Sequence, residues 1–143
     1  MLIVHNKANE KRLRKLKRPK IRSRKRLKEL ADEAFSRWIR RRDSVNDMVT
    51  CVTCHKVKHW KEVDNGHFQS RRFLSTRYDE RNCAGQCKEC NGPGNGQQYK
   101  FGKAINEKYG EGTAEALEAQ TKVIHQMKKI DFEDIIYKYS NDL

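Results

Sequence analysis

The sequence predicts one α+β domain with a metal-stapled core, flanking helices and a basic N-terminal arm. Three observations lead there. Of five cysteines in 143 residues, four fall into two C-x-x-C pairs, Cys51/Cys54 and Cys87/Cys90. The hydrophobic share, 36%, only equals the charged share, which is lean for a packed core and favours an extra staple. The net charge of +13 sits entirely in residues 1–42, where 17 Lys/Arg face 4 Asp/Glu; residues 43–143 carry 15 of each sign.

The elements follow in order. Residues 1–22 carry closely spaced Lys and Arg with Pro19 as a breaker, and Leu13 and Leu16 are too few to define a packed face. This stretch is expected to be a flexible arm, helical on nucleic acid, because neutralised phosphates release condensed counterions. Residues 23–143 form the domain. Leu27, Leu30, Ala31, Ala34, Phe35, Trp38 and Ile39 recur at helical spacing, which predicts an amphipathic helix over 24–42 with Ser23 as its N-cap. Arg37, Arg40, Arg41 and Arg42 then project from its C-terminal end, where cations suit the helix dipole.

A core over 48–96 follows. Met48–Thr53 is rich in β-branched residues, and Trp60, Val63 and Phe68 mark a second extended piece. Residues 70–81 read as a polar loop, Cys87–Asn91 as a turn and Gly92–Gly96 as a break. The C-terminal helices occupy 97–143. Tyr99, Ile105 and Tyr109 lie on the first, ending near Gly110; Ala114, Leu117, Val123 and Ile124 lie on the second. Asp131 caps the last, which carries Phe132, Ile135, Ile136 and Tyr139. No apolar run approaches the roughly 18 residues of a membrane span, and the N-terminus has no apolar signal core, so a cytoplasmic protein without membrane contact is expected.

Two C-x-x-C turns place four thiolates around one ion, the tetrahedral donor set of structural Zn²⁺. A redox pair needs a single C-x-x-C in a βαβ context, which is absent. The 32 residues between the pairs, His55 to Gln86, must form a structured insertion. Cys83 is left as a free thiol, and His55 reads as a knuckle residue after its cysteine. Inside the insertion stand Asp64, His67 and Asn82, and Asn91 directly follows the last cysteine. Phosphodiester hydrolysis needs a base, for which histidine is suited near neutral pH, and oxygen ligands for a hard divalent cation.

These pieces carry a resemblance. Two C-x-x-C pairs enclosing a His, then an Asn, then a polar residue after the final Cys, resemble the ββα-metal fold of HNH endonucleases. More closely, Phe35–Asp43, Cys51–Cys54, Asp64-Asn-Gly-His67, Arg77–Asn82 and Gln86–Asn91 resemble the NinG (Rap) family of lambdoid phage recombination nucleases, over about residues 24–125. The resemblance implies a metal-dependent DNA endonuclease. His67 would be its general base, Asn82 the residue fixing the loop that orients His67, and Asp64 and Asn91 the ligands of a catalytic Mg²⁺ or Mn²⁺ ion. Gly66 occupies the position directly before the base, so Asp64 is expected to reach the ion through a bent or bulged strand. Arg71, Arg72, Arg77 and Arg81, like the arginines ending the first helix, would contact phosphates. The implied substrates are Holliday junctions and D-loops, cut in the host cytoplasm; resolving a junction takes two cuts, which a homodimer would supply. The alternatives are a non-catalytic zinc module that only binds nucleic acid, and a basic assembly factor of a ribonucleoprotein.

Overall fold

The computed structural model describes residues 22–141; apart from Arg22, the basic arm lies outside the described residues. The first helix, α1, runs Arg24–Arg42, with the Ser23 hydroxyl accepting from Arg26 N (3.1 Å). It buries Leu27, Ala31, Phe35 and Ile39, the i, i+4 stripe of its apolar face. Three short strands follow, β1 (Ser44–Val45), β2 (Met48–Thr50) and β3 (Val57–His59), paired antiparallel in that order. Asn46 and Asp47 both adopt positive φ, 49° and 62°, as the tight turn between β1 and β2 requires; these residue types tolerate it best after glycine.

The second sheet positions the site. It is a two-stranded antiparallel ladder of β4 (Val63–His67) and β5 (Cys83–Cys87). Five consecutive pairs run from Val63↔Cys87 to His67↔Cys83. The bulge expected near Asp64 is therefore absent. Between the strands, the stretch read as a loop contains the helical turn α2 (Leu74–Arg77) and a 3₁₀ turn (Glu80–Asn82). After β5 comes the single turn α3 (Lys88–Asn91), where a plain turn was expected; then α4 (Gln98–Tyr109), α5 (Thr113–Gln120) and α6 (Lys129–Asn141).

Alternation along β5 sends neighbouring residues to opposite layers. Cys83 packs with Phe35, Ile39 and Tyr139, the layer of α1 and α6. Ala84 packs against Phe101, Ile105, Ala114 and Leu117, the layer of α4 and α5. The ladder is thus held between two helical layers, and α1 crosses both strands. A Cβ on Gly85 would come within 2.6 Å of Val49 Cγ1, so glycine lets β2 approach β5.

Two helix boundaries differ from expectation. Helix α5 stops at Gln120, leaving Val123 and Ile124 outside it, 61% and 90% exposed. Their spacing suited a helix, but no neighbouring layer reaches them, and without burial a short extension gains little. Asp131 lies within the first turn of α6, and its carboxylate reaches back to accept from Lys128 N (2.5 Å). Among the described residues, no helix is long and apolar enough to cross a membrane.

Candidate functional site

The four paired cysteines come together. Their sulfur atoms all lie within 4.8 Å of one another, and Cys54 Sγ is 3.6 Å from Cys87 Sγ. Thiolates about 2.3 Å from a tetrahedral zinc sit about 3.8 Å apart, so the spacing fits that ion. Local backbone builds the cage. His55 takes φ 63° directly after Cys54, its N–H donates to Cys51 O (3.0 Å), and Cys51 N donates to Lys56 O (2.8 Å). His55 is exposed and stands outside the sulfur cluster.

The electrostatics call for a cation. Burial alone would raise the Cys51 thiol, yet N–H groups including that of Cys87, with the Thr53 hydroxyl, hold it down to about 6. Burial and then the neighbouring thiols push Cys87 up to about 12, since further thiolates in so small a space repel. A divalent ion removes that repulsion. Cys83 stays apart, 1% exposed among aromatic residues, with its thiol pushed far up by burial. It is a buried core residue, and it stands outside the cage as the free thiol that the cysteine count left over.

Beside the cage, a polar cleft of about 430 Å³ runs along β4 between α1 and α3. It gathers Asp64, His67 and Asn91 with the cationic groups of Arg40, Lys61, Arg71 and Lys88. With the ladder unbroken, Asp64 and His67 stem from opposite faces of β4. Both border the cleft because β4 has no strand on its outer edge among the described residues. Asn91 Nδ2 donates to Asp64 Oδ2 (3.1 Å), and Lys88 Nζ lies 2.6 Å from Asp64 Oδ1. The carboxylate therefore already faces a positive charge and an amide.

Gly66 cannot be replaced by an acidic residue at this spot. A Cβ there would meet Gln86 Oε1 at 2.5 Å and Gln86 Cβ at 2.9 Å. The Gln86 side chain is buried and tied by Nε2 to Thr53 Oγ1 (3.1 Å) and Gly96 O (2.8 Å), so it has little freedom to move away.

His67 Nε2 lies 3.0 Å from the carbonyl oxygen of Arg77. A carbonyl only accepts, so Nε2 carries the proton and Nδ1 keeps the lone pair. Burial first, then the Arg71 and Arg77 charges, push the imidazole down to about 4, although the Arg77 and Asn65 carbonyls pull the other way. The ring is neutral at physiological pH. Asn82, fully buried, closes the loop that follows His67. Its Oδ1 accepts from Gln69 N (2.7 Å), and its Nδ2 donates to Gln69 O (3.0 Å) and Thr76 O (3.1 Å).

The depressed His67 value carries a stability prediction. The folded state holds the ring below its unfolded value of about 6.5, so the neutral form stabilises the fold fully above that pH. This contribution, roughly 3 kcal/mol in full, should fade as pH falls from about 6.5 towards 4, with about 2 kcal/mol gone by pH 5. Urea unfolding of the wild type and His67→Gln across that range checks it. The difference between the two proteins should narrow towards low pH; a constant difference would mean that the ring titrates normally.

The arginines divide. Arg40 and Arg71 line the cleft; Arg37, Arg41, Arg72 and Arg81 are exposed, though Arg41 pairs with Asp47 and Arg81 with Asp79. Two depart from expectation. Arg77 is 7% exposed, its guanidinium forked onto the Asp32 carboxylate. Arg42 is half-buried against Asp43 and donates to the carbonyls of Glu80 (2.8 Å) and Cys83 (2.8 Å). Both are committed to the fold and cannot reach phosphate. Conversely, Asp32 and Lys88 border the cleft unforeseen: Lys88 reads as spacer between two cysteines, and Asp32 as the polar side of an amphipathic helix.

The family model for the bacteriophage lambda NinG protein matches residues 4–143. The chain belongs to the NinG family. The NinG match spans both cysteine pairs and every residue of the cleft, and extends beyond the 24–125 over which the motifs themselves were legible. Comparisons with curated proteins and with solved structures give no match.

Proposed function

We propose that this NinG-family protein is a metal-dependent DNA endonuclease of HNH type. The observation that carries the reading is the meeting of a neutral histidine, a carboxylate and an asparagine in one cation-rimmed cleft. The order of elements supports it: β4 presents Asp64 and His67, β5 returns, and α3 presents Asn91, a ββα arrangement framed by the cysteines. The cysteines would hold Zn²⁺ with no open position, so that ion is structural.

Asp64 and Asn91 supply two oxygen donors, which fits an ion such as Mg²⁺ or Mn²⁺ that retains several waters; when bound it would stabilise charge on the phosphate and the leaving oxygen. His67 Nδ1 accepts a proton from a water molecule, and the water oxygen bonds to phosphorus. The bond from phosphorus to the 3′ oxygen breaks, and that oxygen is protonated from solvent. The products carry a 5′-phosphate and a 3′-hydroxyl. Arg40, Lys61, Arg71 and Lys88 meet the flanking phosphates, and Asn82 keeps the loop behind His67 in register. Residues 1–22 would add a sequence-independent grip on DNA. The family's place in phage recombination favours branched DNA, Holliday junctions and D-loops, with a homodimer making paired cuts in the host cytoplasm.

The test is cleavage of end-labelled four-way junction, D-loop and linear duplex DNA by the full chain with Mg²⁺ or Mn²⁺. Cutting that leaves 5′-phosphates and favours the branched substrates is expected. Binding of all three with no cutting under either ion would instead assign a non-catalytic nucleic-acid-binding module.

A further inference from the structure

We propose that Asp32, on α1, is a positioning residue for His67: it clamps the two side chains that flank the carbonyl holding the imidazole. The inference rests on His67 acting as the base. The carbonyl in question belongs to Arg77, at the end of α2, a single turn of four residues. A lone turn is too short to hold its own geometry, and its last carbonyls have no helical donors. The Arg77 carbonyl is therefore available to His67, with the Cys83 thiol as a more distant neighbour (4.0 Å), and contacts from outside α2 hold it in place.

Asp32 does so from both sides. Its Oδ1 accepts from Arg77 Nε (2.8 Å) and from the Tyr78 hydroxyl (2.8 Å), and its Oδ2 accepts from Arg77 Nη2 (2.5 Å). Arg77 Nη1 also donates to the Arg71 carbonyl. The peptide unit that carries the Arg77 oxygen lies between residues 77 and 78, and the side chains of both end on the same carboxylate. The clamp thus holds the two residues that bracket that peptide, and with them the position of the Arg77 carbonyl. The side chains are only 9% exposed for Arg77 and 25% for Asp32, so water does not readily replace a lost bond. Asp32 itself is anchored by α1, between the buried Ala31 and Phe35. The chain of contact is thus helix, carboxylate, paired side chains, carbonyl, ring. It favours the tautomer of His67 that carries the proton on Nε2, with Nδ1 as acceptor. Asp32 lines the same cleft as His67 without serving as base in this scheme.

The experiment reads the ring directly. Long-range ¹⁵N spectra of the zinc-loaded full chain at neutral pH, with the His67 signals assigned by their loss in His67→Gln, should show a single Nε2–H tautomer in the wild type. Asp32→Asn keeps the shape but replaces one acceptor of the fork with a donor, and Arg77→Lys keeps the charge but loses the fork. Each should give a mixture of both tautomers, and a fall in cutting on the order of 100-fold, the usual cost of a slightly misplaced catalytic group. Should Asp32→Asn fail to fold, Arg77→Lys decides alone. An unchanged single tautomer in the folded variants would overturn the role of Asp32, whatever happens to cutting. A wild type that cuts nothing, with variants whose tautomer shifts, would sink the endonuclease reading while supporting the clamp.

Discussion

His67→Ala is expected to lower DNA cleavage about 10³-fold while leaving the fold and DNA binding intact. The chemical loss follows from the tautomer. With Nε2 committed to the Arg77 carbonyl, Nδ1 is the one nitrogen able to take a proton, and alanine offers no substitute. The structural loss is small by comparison. The ring sits at the last residue of β4, partly exposed to the cleft, and its removal leaves one carbonyl short of a partner. That costs about 1–3 kcal/mol, against a total stability of roughly 5–15 kcal/mol for a domain. The measurements are initial cleavage rates at saturating Mn²⁺ or Mg²⁺, a thermal melt and a binding isotherm on a four-way junction. Cutting equal to wild type would remove His67 as the base. Lost binding together with lost cutting would mean that the ring serves the DNA interface or the fold.

Cys87→Ser should fail differently, by abolishing bound zinc, folded structure and cutting together. Zinc in a four-thiolate site contributes roughly 10–16 kcal/mol of apparent folding free energy in small modules, which matches or exceeds what a domain of this size has in reserve. Cys87 also closes the β4–β5 ladder opposite Val63, and its N–H donates to Cys51 Sγ (3.3 Å). Serine keeps both of these backbone ties, so the loss acts through the missing thiolate and the ion that it helps to hold. Chelation of the wild type should reproduce the effect, and zinc restoration should reverse it. The control is Cys83→Ala, which lies outside the cage and should keep one zinc per chain by elemental analysis. A folded Cys87→Ser protein that still cuts would show that the cage is dispensable, and a second protein-bound zinc would show that the cleft holds one as well.

The two expected failures would separate a frame from a reaction centre, and the sequence foreshadowed the two sites unequally. The cage was legible because C-x-x-C is a local pattern: a short turn places both sulfurs on one side whatever the rest of the chain does. Helix α1 was legible because its apolar residues repeat at helical spacing over 19 residues, long enough for periodicity to dominate. Val123 and Ile124 misled because the same spacing over a short stretch does not say whether any layer covers it. The cleft residues were singled out by resemblance to a family rather than by spacing. With Gly66 directly before His67, a bend or bulge in β4 was expected to bring Asp64 to the ion; an open strand edge brings both residues to the cleft without it.

The arginines mark where the sequence stops. In one dimension Arg71 and Arg77 are alike, both basic residues in a polar stretch. In the fold one borders the cleft and the other is withdrawn onto Asp32, a residue 45 positions away. Desolvation and pairing depend on distances between segments far apart in the chain, which no local pattern encodes. The sequence by itself determined the family, the sulfur quartet, the basic arm and the first helix, since each rests on composition or short-range spacing. The tertiary structure decided which charges face the cleft, which are tied into the core, and which tautomer His67 holds, since each depends on long-range packing.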